Sequence, residues 1–426
     1  MKQKYIDYGE IGFICLGVLF FSGGLSKLFS GSIVSLSRWF LFAGSISFIL
    51  LRLNFLAYKI KRDIWLAGLI ALAIFSFMWS DFSDFTFSSI KSEFMPMTAF
   101  GIYLGTSFDI RHLNGKICWG LSLGLLISIL FAIANPSIGR DHGAFAGAWT
   151  GIYGHKNTTS SYMVLSALSL LLPSFRVTKE KWMGLNQHIY LRLLGFSALG
   201  FVFMTTSGTG LILSILISSG VFLYSKFRWK GKITVLLLDL VLLVFGSGAI
   251  ILLGNWQEIV LAMGKDPTLT GRVPMWSIAI QRILERPLLG YGLRGFWAPG
   301  SPYPFELGRA LDFTGDFIPP HVHNGLIDLA LDVGLIGAGL FLASLIVMLT
   351  RAFQQAYDFQ EPEDLWPLGF MILFVVNNIT ESYVFYRVHL FWPIYIAIAL
   401  NVGRSKVVRS KKKDSGNMLA STSEAT

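Results

Sequence analysis

About twelve stretches of roughly 20 mostly apolar residues follow one another along this chain, and that repetition decides what it can fold into. They fall at 11–29, 37–55, 64–80, 90–108, 117–135, 157–173, 190–206, 208–225, 233–253, 324–349, 365–381 and 384–402. Inside a lipid slab, backbone N–H and C=O groups can bond only to one another, so such stretches become helices. The composition agrees: 53% of the residues are hydrophobic and only 14% charged, outside the range of soluble globular domains. The expected fold is all-α, a polytopic membrane helical bundle over 1–402. A basic, disordered cytoplasmic tail follows at 403–426 and is suited to touching anionic lipid. Cys15 and Cys118 lie in apolar runs, which argues against a disulfide framework or a zinc cluster. The first apolar run has no small-residue cleavage site behind it and reads as a retained span.

Basic residues sort the loops. One alternating set holds Lys59, Lys61 and Arg62; Arg111 and Lys116; Arg176, Lys179 and Lys181; Lys226 to Lys232; Arg351; and the Lys411-Lys412-Lys413 tail. Short cytoplasmic loops collect Lys and Arg, so both termini are expected in the cytoplasm. The net charge of +10 is then a matter of topology, with the bilayer and no nucleic acid as partner. On the outer side only 136–156 and the long 254–323 loop carry basic residues, and both are rich in other polar groups.

The long loop should hold the chemistry. Apolar residues Met275, Trp276, Ile280, Ile283 and Leu284 have near-helical spacing, which predicts a surface helix near 274–286, capped by Thr270 and ended by Pro287, Gly290 and Gly292. Arg272 would stand at its N-terminus, where a cation opposes the helix dipole unless an anion binds beside it. Glu306, Asp312 and Asp316 follow. Pro319 and Pro320 hold the chain extended before His321 and His323. Asn324 is a plausible N-cap for the next span, which would set His323 beside the positive helix end and favour its neutral imidazole. Three readings of the histidines stay open at this point: general base or acid, structural capping, and a metal pair with Asp316.

Ionisable groups within spans are functional candidates by default. Arg52, Lys91 and Glu93 read as anchors at span ends, and Asp239 as a cross-helix partner or part of a proton path. Asn377, Asn378 and Glu381 read first as a hydrogen-bonded polar span end, and second as an edge of the cavity that holds His323. Trp79, Tyr103 and Trp392 fit an aromatic belt.

Several of these residues form a recognisable set. Thr270-Gly271-Arg272 with Trp276, Glu285-Arg286-Pro287-Leu288-Leu289-Gly290-Tyr291-Gly292, His323-Asn324 and Gly334-Leu335-Ile336-Gly337 together resemble the O-antigen ligase and polymerase family. His323 and Gly334 have the family's His-x10-Gly spacing. Gly151-Ile152-Tyr153-Gly154-His155-Lys156-Asn157 resembles the exopolysaccharide-polymerase branch. The resemblance covers residues 140 to 400. It implies a C-type membrane glycosyltransferase of the bacterial inner membrane. Such an enzyme needs no cofactor and moves a glycan from a polyprenyl-pyrophosphate-linked oligosaccharide donor to a glycan or glycolipid acceptor. It makes His323 the base, with Arg272, Arg140 and Arg294 as diphosphate clamps and His155, Lys156 and His321 as further contacts. The chain departs from the family at Gly208, where members commonly carry a basic residue; Arg140 is the expected replacement. Two other functions fit the composition: a secondary transporter of a small anion or lipid-linked sugar, and a protein O-oligosaccharyltransferase. No internal repeat of the kind transporters show is visible.

Overall fold

The computed structural model describes residues 2–143, 145–176, 181–182, 185–227, 272–311, 318–357, 361–385 and 387–402. The 233–253 span with Asp239, the loop before Arg272 with Thr270, the residues Asp312 and Asp316, and the tail from 403 lie outside the described residues. Among those described, regular structure is helical apart from a two-residue hairpin pairing Lys181–Trp182 with Leu185–Asn186. In chain order the helices are α1 (Lys2–Phe21), α2 (Gly24–Leu28), α3 (Gly31–Leu50), α4 (Leu53–Ile60), α5 (Ile64–Phe75), α6 (Ser83–Ser89), α7 (Met95–Ser107), α8 (Ile110–Ala134) and α9 (Pro136–Gly139). They continue with α10 (Lys156–Leu171), α11 (Gln187–Thr205), α12 (Gly208–Phe227), α13 (Arg272–Glu285), α14 (Tyr303–Leu311), α15 (Gly325–Tyr357), α16 (Trp366–Thr380) and α17 (Phe391–Ala399).

Four described helices are long and apolar enough to cross a membrane: α3, α8, α11 and α15. Shorter apolar helices run over Tyr8–Phe21, Ile64–Met78 and Gly208–Gly220. Hydropathy marks apolar residues, not helix length, and here the two part company. The 384–402 stretch begins with an irregular loop and yields only the nine residues of α17. The 190–225 stretch is two helices, broken where Thr206 takes a left-handed φ of 54°.

Apolar stretches also differ in what they face. Every residue of α10 from Thr159 to Leu171 is buried, which makes it a central helix of the bundle. Its hydroxyls bond both within the helix and across it: Ser166 donates to Tyr162 O (2.7 Å), while Thr159 donates to Thr150 O (2.7 Å) and Ser161 to Asn377 Oδ1 (2.8 Å). Tyr103 and Trp392 are fully buried core residues, not belt residues. Each places its polar tip on a partner, Tyr103 on Glu10 (3.2 Å) and Trp392 on Thr98 (3.1 Å), as a buried aromatic with a polar handle must. Glu93 likewise meets Arg294 at 2.5 Å instead of reaching for solvent.

A second, smaller core sits beneath the long loop, built from Met275, Ala279, Ile283, Tyr291, Phe296, Leu307, Val322 and Leu331. The first three give α13 a buried stripe at i, i+4, i+8, while Val273, Ile280 and Leu284 stay exposed. The segment after α13 plugs into a kink in α15. There Val333 and Gly334 leave helical geometry, Gly334 with φ 69° and ψ −174°. Leu335 N then donates to Pro287 O (2.7 Å), and Tyr291 N to Leu331 O (2.8 Å). A Cβ at Gly334 would run into the Leu288 carbonyl, so this glycine is required by close backbone approach as well as by φ. The glycine eleven residues after His323 thus fixes how the loop docks on the helix that His323 precedes.

Candidate active site

Local chemistry explains how the loop presents its histidines. Asn324 caps α15, its Oδ1 accepting from Leu326 N and Ile327 N (both 3.1 Å). Asp328, one turn in, reaches back so that Val322 N donates to its carboxylate (3.2 Å), and Ser382 donates to the same group. Trp276 on α13 donates to Val322 O (2.7 Å). Between these ties His323 is held at a φ of 54°, a conformation that costs a non-glycine residue about 1–3 kcal/mol. Its backbone N donates to His321 Nδ1 (3.0 Å) and the two rings lie 4.0 Å apart.

Both imidazoles converge on Glu381, the residue after α16. His323 Nδ1 is 3.2 Å and His321 Nε2 3.8 Å from Glu381 Oε2. The other oxygen accepts from Asn157 Nδ2 (2.8 Å) and lies 3.5 Å from Arg272 Nη2, while Arg272 Nη1 donates to Thr380 O (2.6 Å). Burial by itself would raise the Glu381 pKa. The His323 hydrogen bond, the charges of His323 and His321 and the Asn157 amide overcome that and hold the carboxyl down at about 2. For His321, burial is the largest cause and His323 adds to it, against Glu381, so its imidazole is pushed down to about 3. In the neutral form of His323, the tautomer that donates from Nδ1 to the Glu381 carboxylate leaves Nε2 with its lone pair, and the contact fixes the ring orientation.

The remaining candidates divide. His155 caps α10, its Nδ1 accepting from Asn157 N (3.3 Å), and feels the charges of Glu381 and His323; burial chiefly, then His323 and Lys156, lowers its pKa. Lys156 lies over the Phe145 ring, 3.6 Å from the centroid. Arg140 turns away: Nε donates to Ala132 O (3.0 Å) and the guanidinium stacks over Trp149. Arg294 is held elsewhere too, by Glu93, with its backbone N on Asp332 (2.9 Å). At Gly208 the space a Cβ would enter is open, and neighbouring Thr209 meets Thr380 at 3.4 Å.

Glu381 is the residue whose part the sequence reading ranked second to a polar span end. Asn157 stood in the quoted 151–157 motif without a role, and here Ser207 Oγ also orients its Oδ1 (3.1 Å). Arg387, exposed on the loop after Glu381, is close enough to disfavour a charge on His321. The signal for Glu381 is an acid at the end of an apolar stretch with Asn377 and Asn378 just before it.

His321, His323 and Glu381 offer three ligand atoms within 4.8 Å of one another, enough to hold a metal ion. The Arg272 guanidinium and the Asn157 amide on the same carboxylate argue the other way. They fall on Oε1, whereas the histidines converge on Oε2, so what opposes a dication is the Arg272 charge beside the carboxylate and not an occupied ligand atom.

Comparison with known proteins finds relatives of this chain. A family model described as O-antigen ligase matches residues 193–342. The exopolysaccharide production protein ExoQ of Rhizobium meliloti is 26% identical over 343 residues, 78% of this chain and 74% of that protein. Proteins named as polysaccharide ligases in Rickettsia conorii and Rickettsia prowazekii are 30% and 32% identical over 83 and 93 residues, spanning 19% and 21% of their own lengths. With the loop motifs docked around one carboxylate–histidine centre, the chain is similar to the O-antigen ligase family over residues 193–342 and to an exopolysaccharide production protein along most of its length.

Proposed function

We propose that this protein is a glycosyltransferase of the bacterial inner membrane that joins a polyprenyl-pyrophosphate-linked glycan to a sugar hydroxyl on the outer face. The observation that carries the reading is the His323–Glu381 contact, 3.2 Å long, with Arg272 on the same carboxylate. His323 Nε2 takes the acceptor hydroxyl proton as that oxygen attacks the donor's anomeric carbon. The bond from that carbon to the diphosphate breaks, and the diphosphate leaves with the electron pair. Arg272 neutralises the growing charge, helped by Arg387 from the loop after α16 and by Lys156 at the start of α10; Glu381 positions the base and stabilises the imidazolium. The loop basicity pattern supports a site on the outer face and termini in the cytoplasm. The long match to an exopolysaccharide production protein supports a part in exopolysaccharide assembly.

Reconstituted protein supplied with a polyprenyl-diphosphate oligosaccharide tests the proposal. Growth of a lipid-linked polymer with release of polyprenyl diphosphate is expected. Intact donor carried across the bilayer without bond formation would make the protein a transporter instead.

A further inference from the structure

At the end of α8 away from Glu381 the bundle opens a second cavity. Helix α8 has 25 residues and spans about 37 Å at 1.5 Å per residue. Its C-terminal end leads into the segment that ends where α10 begins with Lys156 and Asn157, so its N-terminal end lies on the opposite face. There α1, α4, α7 and α8 enclose an open cleft of about 470 Å³ whose charged lining is Arg52, Lys59 and Lys116 against Glu10 and Asp109, with His112 beside them.

The acids are largely spent on the protein itself. Asp109 caps α8, accepting from His112 N (3.0 Å), and also meets the His112 ring (2.9 Å). Glu10 is shared between Lys116 at 3.7 Å and Arg52 at 3.9 Å, both longer than a hydrogen bond, and accepts from Tyr103 (3.2 Å). Two cations thus straddle one distant carboxylate, with Ser107 Oγ bonded to Arg52 as a further polar group in the cleft. That excess of donors matches a phosphate, which offers several acceptor oxygens.

The wall says where the phosphate comes from. Phe55 lines the cleft and is 53% exposed, and its neighbours on and before α4, Leu51, Leu53 and Tyr58, are exposed as well. Cations on one side and bare apolar groups on the other mark a short helix that lies at a membrane surface. A soluble anion has no use for that apolar wall; a phospholipid does.

We propose that this cleft binds the phosphate headgroup of an anionic phospholipid, between Arg52 and Lys116, with its acyl chains along Phe55. The site is independent of the glycan-transfer reading, since no residue is shared. Purified full-length protein, delipidated in detergent and supplied with phosphatidylglycerol or phosphatidylcholine, is examined by native mass spectrometry. Phosphatidylglycerol should be retained in preference. The Arg52→Ala/Lys116→Ala double variant should lose that preference by roughly tenfold or more, at about 1 kcal/mol per cation. Arg176→Ala, a cation outside the cleft, should keep it. Glu10→Gln removes the competing carboxylate and should tighten retention, a gain that misfolding does not mimic. Equal retention by wild type and the double variant, or no gain in Glu10→Gln, overturns the proposal. So does displacement of the lipid by millimolar inorganic phosphate, which would make the site one for a soluble anion.

Discussion

Arg272 and Arg294 look alike in the sequence, and the structure uses them differently. Each lies in the segment between α12 and α15 and each meets a carboxylate. Arg294 is only 14% exposed, gripped by Glu93 and set over the Phe85 ring, with its backbone on Asp332. Arg272 is 23% exposed and stands 3.5 Å from a carboxylate that already serves His323 and Asn157. The first arrangement closes on itself and fastens the loop to the bundle. The second leaves the cation oriented but loosely paired, next to a base, which is what recognition of an incoming anion requires.

The sharpest way to break this comparison is at the shared carboxylate. Glu381→Gln should lower the glycan-transfer rate by ~10³ with the fold retained, because the His323 ring loses its orienting anion. A loss under tenfold would reduce Glu381 to a polar span end. The arginines come next. Arg272→Ala should weaken donor binding by roughly 10- to 100-fold in a binding assay with little change in melting temperature. Arg294→Ala should do the reverse, costing about 3 kcal/mol of stability by stranding Glu93 while leaving donor affinity near wild type. Matching effects of the two variants would erase the distinction.

A smaller effect concerns pH. His321 is pushed down to about 3 in the fold, so between its ordinary value and 3 the unfolded chain binds the extra proton. Stability should therefore fall as pH drops below about 6.5, by roughly 2 kcal/mol at pH 5. Glu381, held at about 2, is ionised throughout that window and adds its own loss only below about 4.5. Thermal melts of wild type and His321→Asn check this: the variant should show a shallower slope above pH 5 than wild type, with His155, whose pKa burial also lowers, supplying part of what remains. The smallest expected effect is that of a chelator. Transfer should change less than about twofold with EDTA if Arg272 and Asn157 serve the Glu381 carboxylate in place of a metal; loss of activity restored by a divalent ion would assign the His321–His323–Glu381 set to metal binding.

What the sequence disclosed follows from how local each feature is. The helix Arg272–Glu285, its end at the Pro287 turn and the Asn324 cap are governed by neighbours a few residues away, so spacing and turn chemistry point to them, whereas Gly334 is marked only by the family resemblance because the Leu288 carbonyl that requires it lies far off in sequence. The number of full-length helices was harder to read, because an apolar stretch such as 157–173 records burial without saying whether lipid or protein surrounds it. Partner choice was least legible. Nothing near Arg140 announces that it will turn to Ala132 O and Trp149, and Glu381 gains its meaning only when Asn157, 224 residues away in sequence, comes to meet it.

The account rests on His323 and Glu381 acting as one unit. The most direct test is a double-mutant cycle on purified, reconstituted protein, with the transfer rate measured for His323→Gln, Glu381→Gln and the two together. Acting as a unit predicts a large loss in each single variant and no further loss in the double beyond that of His323→Gln. Losses that multiply, or a His323→Gln enzyme within tenfold of wild type, would contradict it.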